Sequence, residues 1–203
     1  MQNPSIKIHR HLLKVAKLNF PTLHEIIRCN DIIDVQRKRK TSLFEFVAKT
    51  IINQQLSIAA ANTLWSRLQA LKANQQCSLA QLFIESNRTK IQACGISRIK
   101  TEALIRLGYS NQQIHGNKIK HMNYEQICDW TKNLYGCGQW TADIIAMFYL
   151  NLLDVWPEND VALKRNLNKL LPDEICHEVA LEFSPYRTTF AQHIWRAGNI
   201  VVV

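Results

Sequence analysis

The segment Leu134-Tyr135-Gly136-Cys137-Gly138-Gln139-Trp140-Thr141-Ala142 lies between two stretches of helical periodicity and could bind an anion. Two glycines one residue apart permit positive φ angles and a tight reversal, and they strip side chains from the turn. The amides that open the following helix then point outward, where a phosphate oxygen can accept their hydrogen bonds. A glycine-capped turn that binds nothing has the same local pattern. Asp160 is a second such residue. It stands at the start of a helical pattern, where Asp is a favoured cap, with Lys164 one turn later as an ion-pair partner. The six cysteines (Cys29, Cys77, Cys94, Cys128, Cys137 and Cys176) form no CxxC pair and have no spacing suited to zinc or an iron–sulfur cluster. They read as small buried hydrophobes of a reducing compartment.

The elements that must position these residues are helical, and the fold class is all-α. Phe44, Val47 and Ile51 recur at helical spacing, followed by the polar break Asn53-Gln54-Gln55. Ser57 caps the next helix, which carries Ala61, Leu64, Leu68 and Leu71. Ser97 caps a helix bearing Ala103, Leu104 and Leu107, with Gly108 as its end. Asn123 and Gln126 form a capping box before Ile127 and Trp130. An apolar helix runs from about Gln139 to Leu150. Leu163, Leu167, Leu170 and Leu171 mark another, and Phe190, Ile194 and Ala197 mark the last, with Gly198 as its stop.

The chain of 203 residues is long enough for one large domain or two small interlocked ones, and 47% of it is apolar, as in ordinary globular proteins. A formal charge of +9 favours a polyanionic partner, because Lys and Arg that neutralise phosphates release condensed counterions. The first residues have no continuous apolar core with a cleavage site, and the run Ile144 to Leu153 is too short to span a bilayer. A soluble intracellular protein is expected, without membrane contact.

The hairpin resembles that of the helix-hairpin-helix DNA glycosylase superfamily, Leu-x-Gly-x-Gly-x-x-Thr-Ala, with Tyr135 where a Pro is often found. The resemblance continues through Asp154-Val155-Trp156-Pro157-Glu158-Asn159-Asp160, about twenty residues further on. Ile51-Ile52-Asn53-Gln54-Gln55-Leu56-Ser57, Ser184-Pro185-Tyr186-Arg187 and Gln192-His193-Ile194-Trp195 are similar to segments of 3-methyladenine DNA glycosylase II. The ordered matches run from about residue 43 to 197.

This resemblance implies that Asp160 is the catalytic carboxylate, with Asp154 and Glu158 off the matching position. Such a group stabilises positive charge on the sugar and helps to position or deprotonate the attacking water. Trp140 stands where strand-cutting relatives carry a nucleophilic Lys, so the implied enzyme is monofunctional and water is its nucleophile. Trp140 and Trp195 would wall the pocket of an everted base, although both also suit a core. Ile144 and Val161 replace tyrosines of a bacterial relative, which makes that pocket less aromatic. Gly136, Gly138 and Thr141 would serve the DNA-binding hairpin. Gln54 and Gln55 lie at the wedge segment, with Gln55 at the intercalating position. Arg187 would contact a phosphate or brace Asp160. The run Arg37-Lys38-Arg39-Lys40 reads as a solvated loop.

The expected architecture is two helical subdomains with a DNA-binding cleft between them. Residues 36–154 form a six-helix module with wedge and hairpin, and 1–35 with 155–203 form a second subdomain carrying Asp160. The expected partner is double-stranded DNA with damaged bases, bound by a monomer, in the cytoplasm and nucleoid of a bacterium or the nucleus of a eukaryote. No cofactor is expected, and a monovalent cation at the hairpin is left open. The implied reaction is release of alkylated purines such as 3-methyladenine and 7-methylguanine. The alternatives are a helix-hairpin-helix module that binds DNA without catalysis, or a glycosylase for another base lesion.

Overall fold

A computed structural model describes residues 3–35, 41–114 and 116–200 of the chain. The basic run 37–40 and the expected boundary at 36 lie outside the described residues. Among those described there are thirteen α-helices and no strand, so the all-α expectation holds. The chain divides into two compact units, one of Met1–Lys38 with Ala146–Val203 and the other of Arg39–Ile145. Residues 146–154, which the family resemblance assigns to the middle module, group instead with the terminal segments.

The terminal unit begins with α1 (Pro4–Asn19) and α2 (Pro21–Cys29). Asn3 caps α1 by accepting the Ser5 amide at 2.9 Å, and a Pro early in each helix occupies a position whose N–H has no intrahelical partner. The middle unit carries α3 (Leu43–Asn53), α4 (Ile58–Asn74), α5 (Leu79–Leu82), α6 (Arg88–Ala93), α7 (Arg98–Tyr109), α8 (Gly116–Ile119) and α9 (Tyr124–Lys132). The division between the units falls inside α10 (Gln139–Phe148). The terminal unit then resumes with α11 (Val161–Leu170), α12 (Cys176–Glu182) and α13 (Arg187–Ile200).

Each unit has its own apolar core. In the middle unit Val47, Ile51, Leu82, Phe83, Leu104 and Ile127 are shielded from solvent, and α7 packs against α3, α5 and α6. In the terminal unit Leu12, Leu23, Ile27, Leu163 and Ile194 are buried, as are three rings that stack on one another. Phe183 and Phe190 lie 3.8 Å apart, with Trp156 against Phe190 at 5.6 Å. Burial at this scale, about 1.5–3 kcal/mol per large apolar side chain, is the main force that holds each unit together.

The caps at Ser57 and Ser97 and the capping box of Asn123 with Gln126 form as expected. Two glycine stops do not. α7 continues through Gly108 to Tyr109, and α13 continues through Gly198. A Cβ at Gly108 would collide with the backbone of Phe83, and one at Gly198 with the Asn166 carboxamide. Both glycines allow close approach between elements and do not end their helices. The cysteines are all free, but only Cys94 is buried, and Cys29 is exposed.

Candidate functional site

In the middle unit, α9 ends at Lys132 with Asn133 as its C-cap and α10 begins after Gly138, so the glycine segment forms the expected hairpin between two helices. Gly136 adopts φ +73, where any other residue would be strained, and a Cβ there would meet Ala103 Cβ of α7 at 3.0 Å. Gly138 accepts the amides of Thr141 at 3.0 Å and Ala142 at 3.2 Å, which starts α10. Nothing lies within 4 Å of where its Cβ would be, and Gly138 and Gln139 are both exposed at the start of the helix. Tyr135, in place of proline, is fixed by the Arg106 guanidinium 4.0 Å over its ring, and Arg106 is held by Glu102 at 2.7 Å.

Thr141 is buried, and its hydroxyl accepts the Gln54 carboxamide at 3.2 Å, so its side chain braces the hairpin from within. Burial pushes the Cys137 thiol up to about 12, against the opposing effect of its hydrogen bond with Thr141. Sequence reasoning missed a polar cluster that joins α9 to α10. The hydroxyl of Tyr124 donates to buried Asp143 at 2.6 Å, and the Gln139 carboxamide donates to both at 2.9 Å. Burial, followed by the hydrogen bond to Asp143, pushes the Tyr124 phenol well above its ordinary value. The only local sign of this cluster is the spacing of Gln139 and Asp143, four apart on one helix face.

The two glutamines of the turn after α3 separate in role. Gln54 points to the hairpin and donates to Gly136 O at 2.9 Å, while Gln55 is exposed at φ +55. Leu56 and Ile58 beside it are exposed large hydrophobics. Trp140, half-buried, opens α10 in this unit.

In the terminal unit, Asp160 is the cap of α11 and only 8% exposed. Its Oδ1 accepts the Leu163 amide at 2.7 Å and the indole N–H of Trp195 at 3.1 Å. Trp195 projects from α13 and lies 6.0 Å from the Phe148 ring. The expected cap is therefore present, and the bond from Trp195, which the sequence did not suggest, falls on the same oxygen. Lys164 pairs with Glu158 at 3.4 Å. Arg187, for which the sequence left open a phosphate contact or a brace on Asp160, pairs with Asp154. Its Nε reaches Oδ1 at 2.8 Å and an Nη reaches Oδ2 at 3.0 Å. Desolvation raises the Asp154 carboxyl, but the bonds from Arg187 and Ser184 outweigh it and leave the group below the usual aspartate value. Val161, next to Asp160, is 79% exposed. No group of three or more metal-ligating side chains occurs among the described residues.

No family model matches the chain. It is 24% identical over 172 residues to DNA-3-methyladenine glycosylase 1 of Schizosaccharomyces pombe, covering 79% of this chain and 75% of that protein. The solved structure of a Schizosaccharomyces pombe 3-methyladenine DNA glycosylase in complex with abasic DNA superposes at a TM-score of 0.77, with 21% identity over 94% of this chain and 95% of that one. The fold is that of the helix-hairpin-helix DNA glycosylases. DNA-3-methyladenine glycosidase from Bacillus halodurans has the same glycosylase fold, at a TM-score of 0.71 and 23% identity, covering 98% of this chain and 91% of that one. No helix among the described residues is long and apolar enough to cross a membrane.

Proposed function

We propose that the chain is a monofunctional DNA glycosylase that hydrolyses the N-glycosidic bond of alkylated purines in duplex DNA, as the first step of base excision repair. The observation that carries this reading is the Asp160 carboxylate, held at one oxygen by a helix amide and by the Trp195 indole. It stands in a chain whose relative carries the name DNA-3-methyladenine glycosylase.

The hairpin binds the backbone through the amides that open α10, beside the space left clear at Gly138. Exposed Gln55 enters the stack as the damaged nucleotide turns out, and its carboxamide can hydrogen-bond to the base left without a partner. A purine alkylated on its ring carries positive charge, which weakens its bond to the sugar. The indole of Trp195, whose N–H donates to Asp160 in the same unit, offers such a base an electron-rich face worth about 0.5–2 kcal/mol. As the bond breaks the sugar becomes cationic, and Asp160 stabilises that charge and orients the attacking water. Trp140 has no amine with which to form a Schiff base, so the strand stays intact and an abasic site remains.

The test is release of free base from methylated duplex DNA, followed by alkali to reveal abasic sites. The wild type releases 3-methyladenine without alkali-independent strand cleavage or borohydride trapping. A panel of single-lesion duplexes then separates alkylation repair from repair of mismatched or deaminated bases. The cap hydrogen bond of Asp160 also suits a module that binds DNA without chemistry. Binding to methylated duplex with no base released would favour that module.

A further inference from the structure

The turn after α3 and the hairpin are 82 residues apart at Gln54 and Gly136, yet a continuous chain of hydrogen bonds joins them. The ammonium of Lys100, from the first turn of α7, donates to Ile52 O at 2.8 Å and Gln54 O at 2.6 Å. These carbonyls lie at the C-terminus of α3, where helix geometry leaves acceptors without intrahelical partners and a cation opposes the negative end of the dipole. The side chain of the same Gln54 runs on to Gly136 O and Thr141 Oγ1 in the hairpin, at 2.9 and 3.2 Å. Both ends of the turn are otherwise closed. The Leu56 amide donates to Asn53 O at 3.2 Å, and Ser57 caps α4. Between these fixed points Gln55, at positive φ, and Leu56 are both exposed.

α7 touches both loops with one face. Lys100 and Ala103 are three residues apart, hence neighbours on the helix surface. Lys100 holds the α3 turn, and Ala103 is the atom group against which Gly136 is pressed. The carboxamide of Gln54 is therefore occupied by the hairpin, which removes it as a wedge and gives it a different task.

We infer that Gln54 and Lys100 are positioning residues that lock the turn carrying Gln55 to the phosphate-binding hairpin, with α7 as the common support. The wedge and the backbone grip then meet DNA at one fixed spacing. This rests on the proposed function for what the spacing does. A duplex must be held at the backbone while the stack is entered, and displacing one contact relative to the other loses the alignment. A base that is already unstacked needs less of this coordination.

Gln54→Leu and Lys100→Met separate these roles, with Lys100→Arg as the conservative control that keeps a cationic donor. Single-turnover release is measured on one alkylated base placed in a fully paired duplex and in a single-base bulge. The expected result is a loss of roughly tenfold on the paired substrate and under about threefold on the bulge, with much of the loss restored by Lys100→Arg. Equal losses on both substrates, or no loss on either, overturn the inference. Hydrogen exchange on the free proteins supplies a second measurement that needs no activity. Gln54→Leu raises exchange at 134–141, and Lys100→Met raises it there and at 53–57. Unchanged exchange in the hairpin for both variants overturns the inference. A wild type that releases no base from either substrate defeats the proposed function alone, and the exchange data still decide the positioning claim.

Discussion

Asp160 does two jobs with one oxygen, and substitution can separate them. Asn is as good a helix cap as Asp, so Asp160→Asn should keep the bond to the Leu163 amide and leave stability nearly unchanged, while base release falls by roughly 10²–10⁴-fold. Asp160→Ala loses the cap as well and should cost about 1 kcal/mol in chemical denaturation. Wild-type activity in Asp160→Asn would reduce the carboxylate to a cap. Trp195→Phe removes the indole N–H from the same oxygen but keeps an aromatic face. Its base release should fall by roughly tenfold, the equivalent of about 1.4 kcal/mol, with no comparable loss in Tm. At this scale the sequence was partly legible. The hairpin motif and its distance to Asp160 pick out residues that the structure gives defined surroundings. The partners of Arg187 and Gln54 were hidden because both bonds join distant segments, and local spacing says nothing about which carboxylate or carbonyl a long side chain will meet.

The helices show which rules of local structure are sufficient. Ser57, Ser97 and Asn123 were readable as caps because a cap hydrogen bond spans only three residues and needs nothing from the rest of the fold. Gly108 and Gly198 misled for the opposite reason. A glycine late in a helical pattern normally marks an end, but here each lies where another element presses on the helix backbone. Gly198→Ala should therefore destabilise by about 1–3 kcal/mol, although Ala is the better helix former, because the Asn166 carboxamide must be displaced. Urea unfolding measures this. A gain in stability would show that Asn166, which also donates to Ile194 O at 3.2 Å, can move at little cost.

Two groups in the terminal unit make the whole molecule sensitive to acid. His193 is fully buried, neither ring nitrogen has a hydrogen-bond partner, and its ring lies 5.6 Å from that of His9. Burial first, then the nearby charges of His9 and Arg196, lower its pKa from 6.5 to about 3. The unfolded chain takes up a proton near 6.5 that the folded one refuses, so stability is complete above that pH and declines as pH falls toward 3. Between pH 7 and pH 5 the loss should be about 2 kcal/mol. Asp154, whose carboxyl lies below the ordinary value, acts in the same direction at lower pH. Its contribution is present above the unfolded aspartate pKa and is lost as pH falls through the depressed folded one. Denaturation of His193→Leu across pH 7 to 5 should show a flatter profile than the wild type. An equal slope would place the acid sensitivity elsewhere.

The bare position at Gly138 offers a clean way to ask what lies outside the protein. Its backbone is not left-handed, and a methyl group added there would meet nothing within 4 Å beyond its immediate chain neighbours. Gly138→Ala should consequently fold as well as the parent, or slightly better, since alanine has fewer unfolded conformations to lose. Any weakening of its hold on a duplex would then come from crowding of the incoming strand alone, a steric signal free of the folding penalty that usually blurs such experiments.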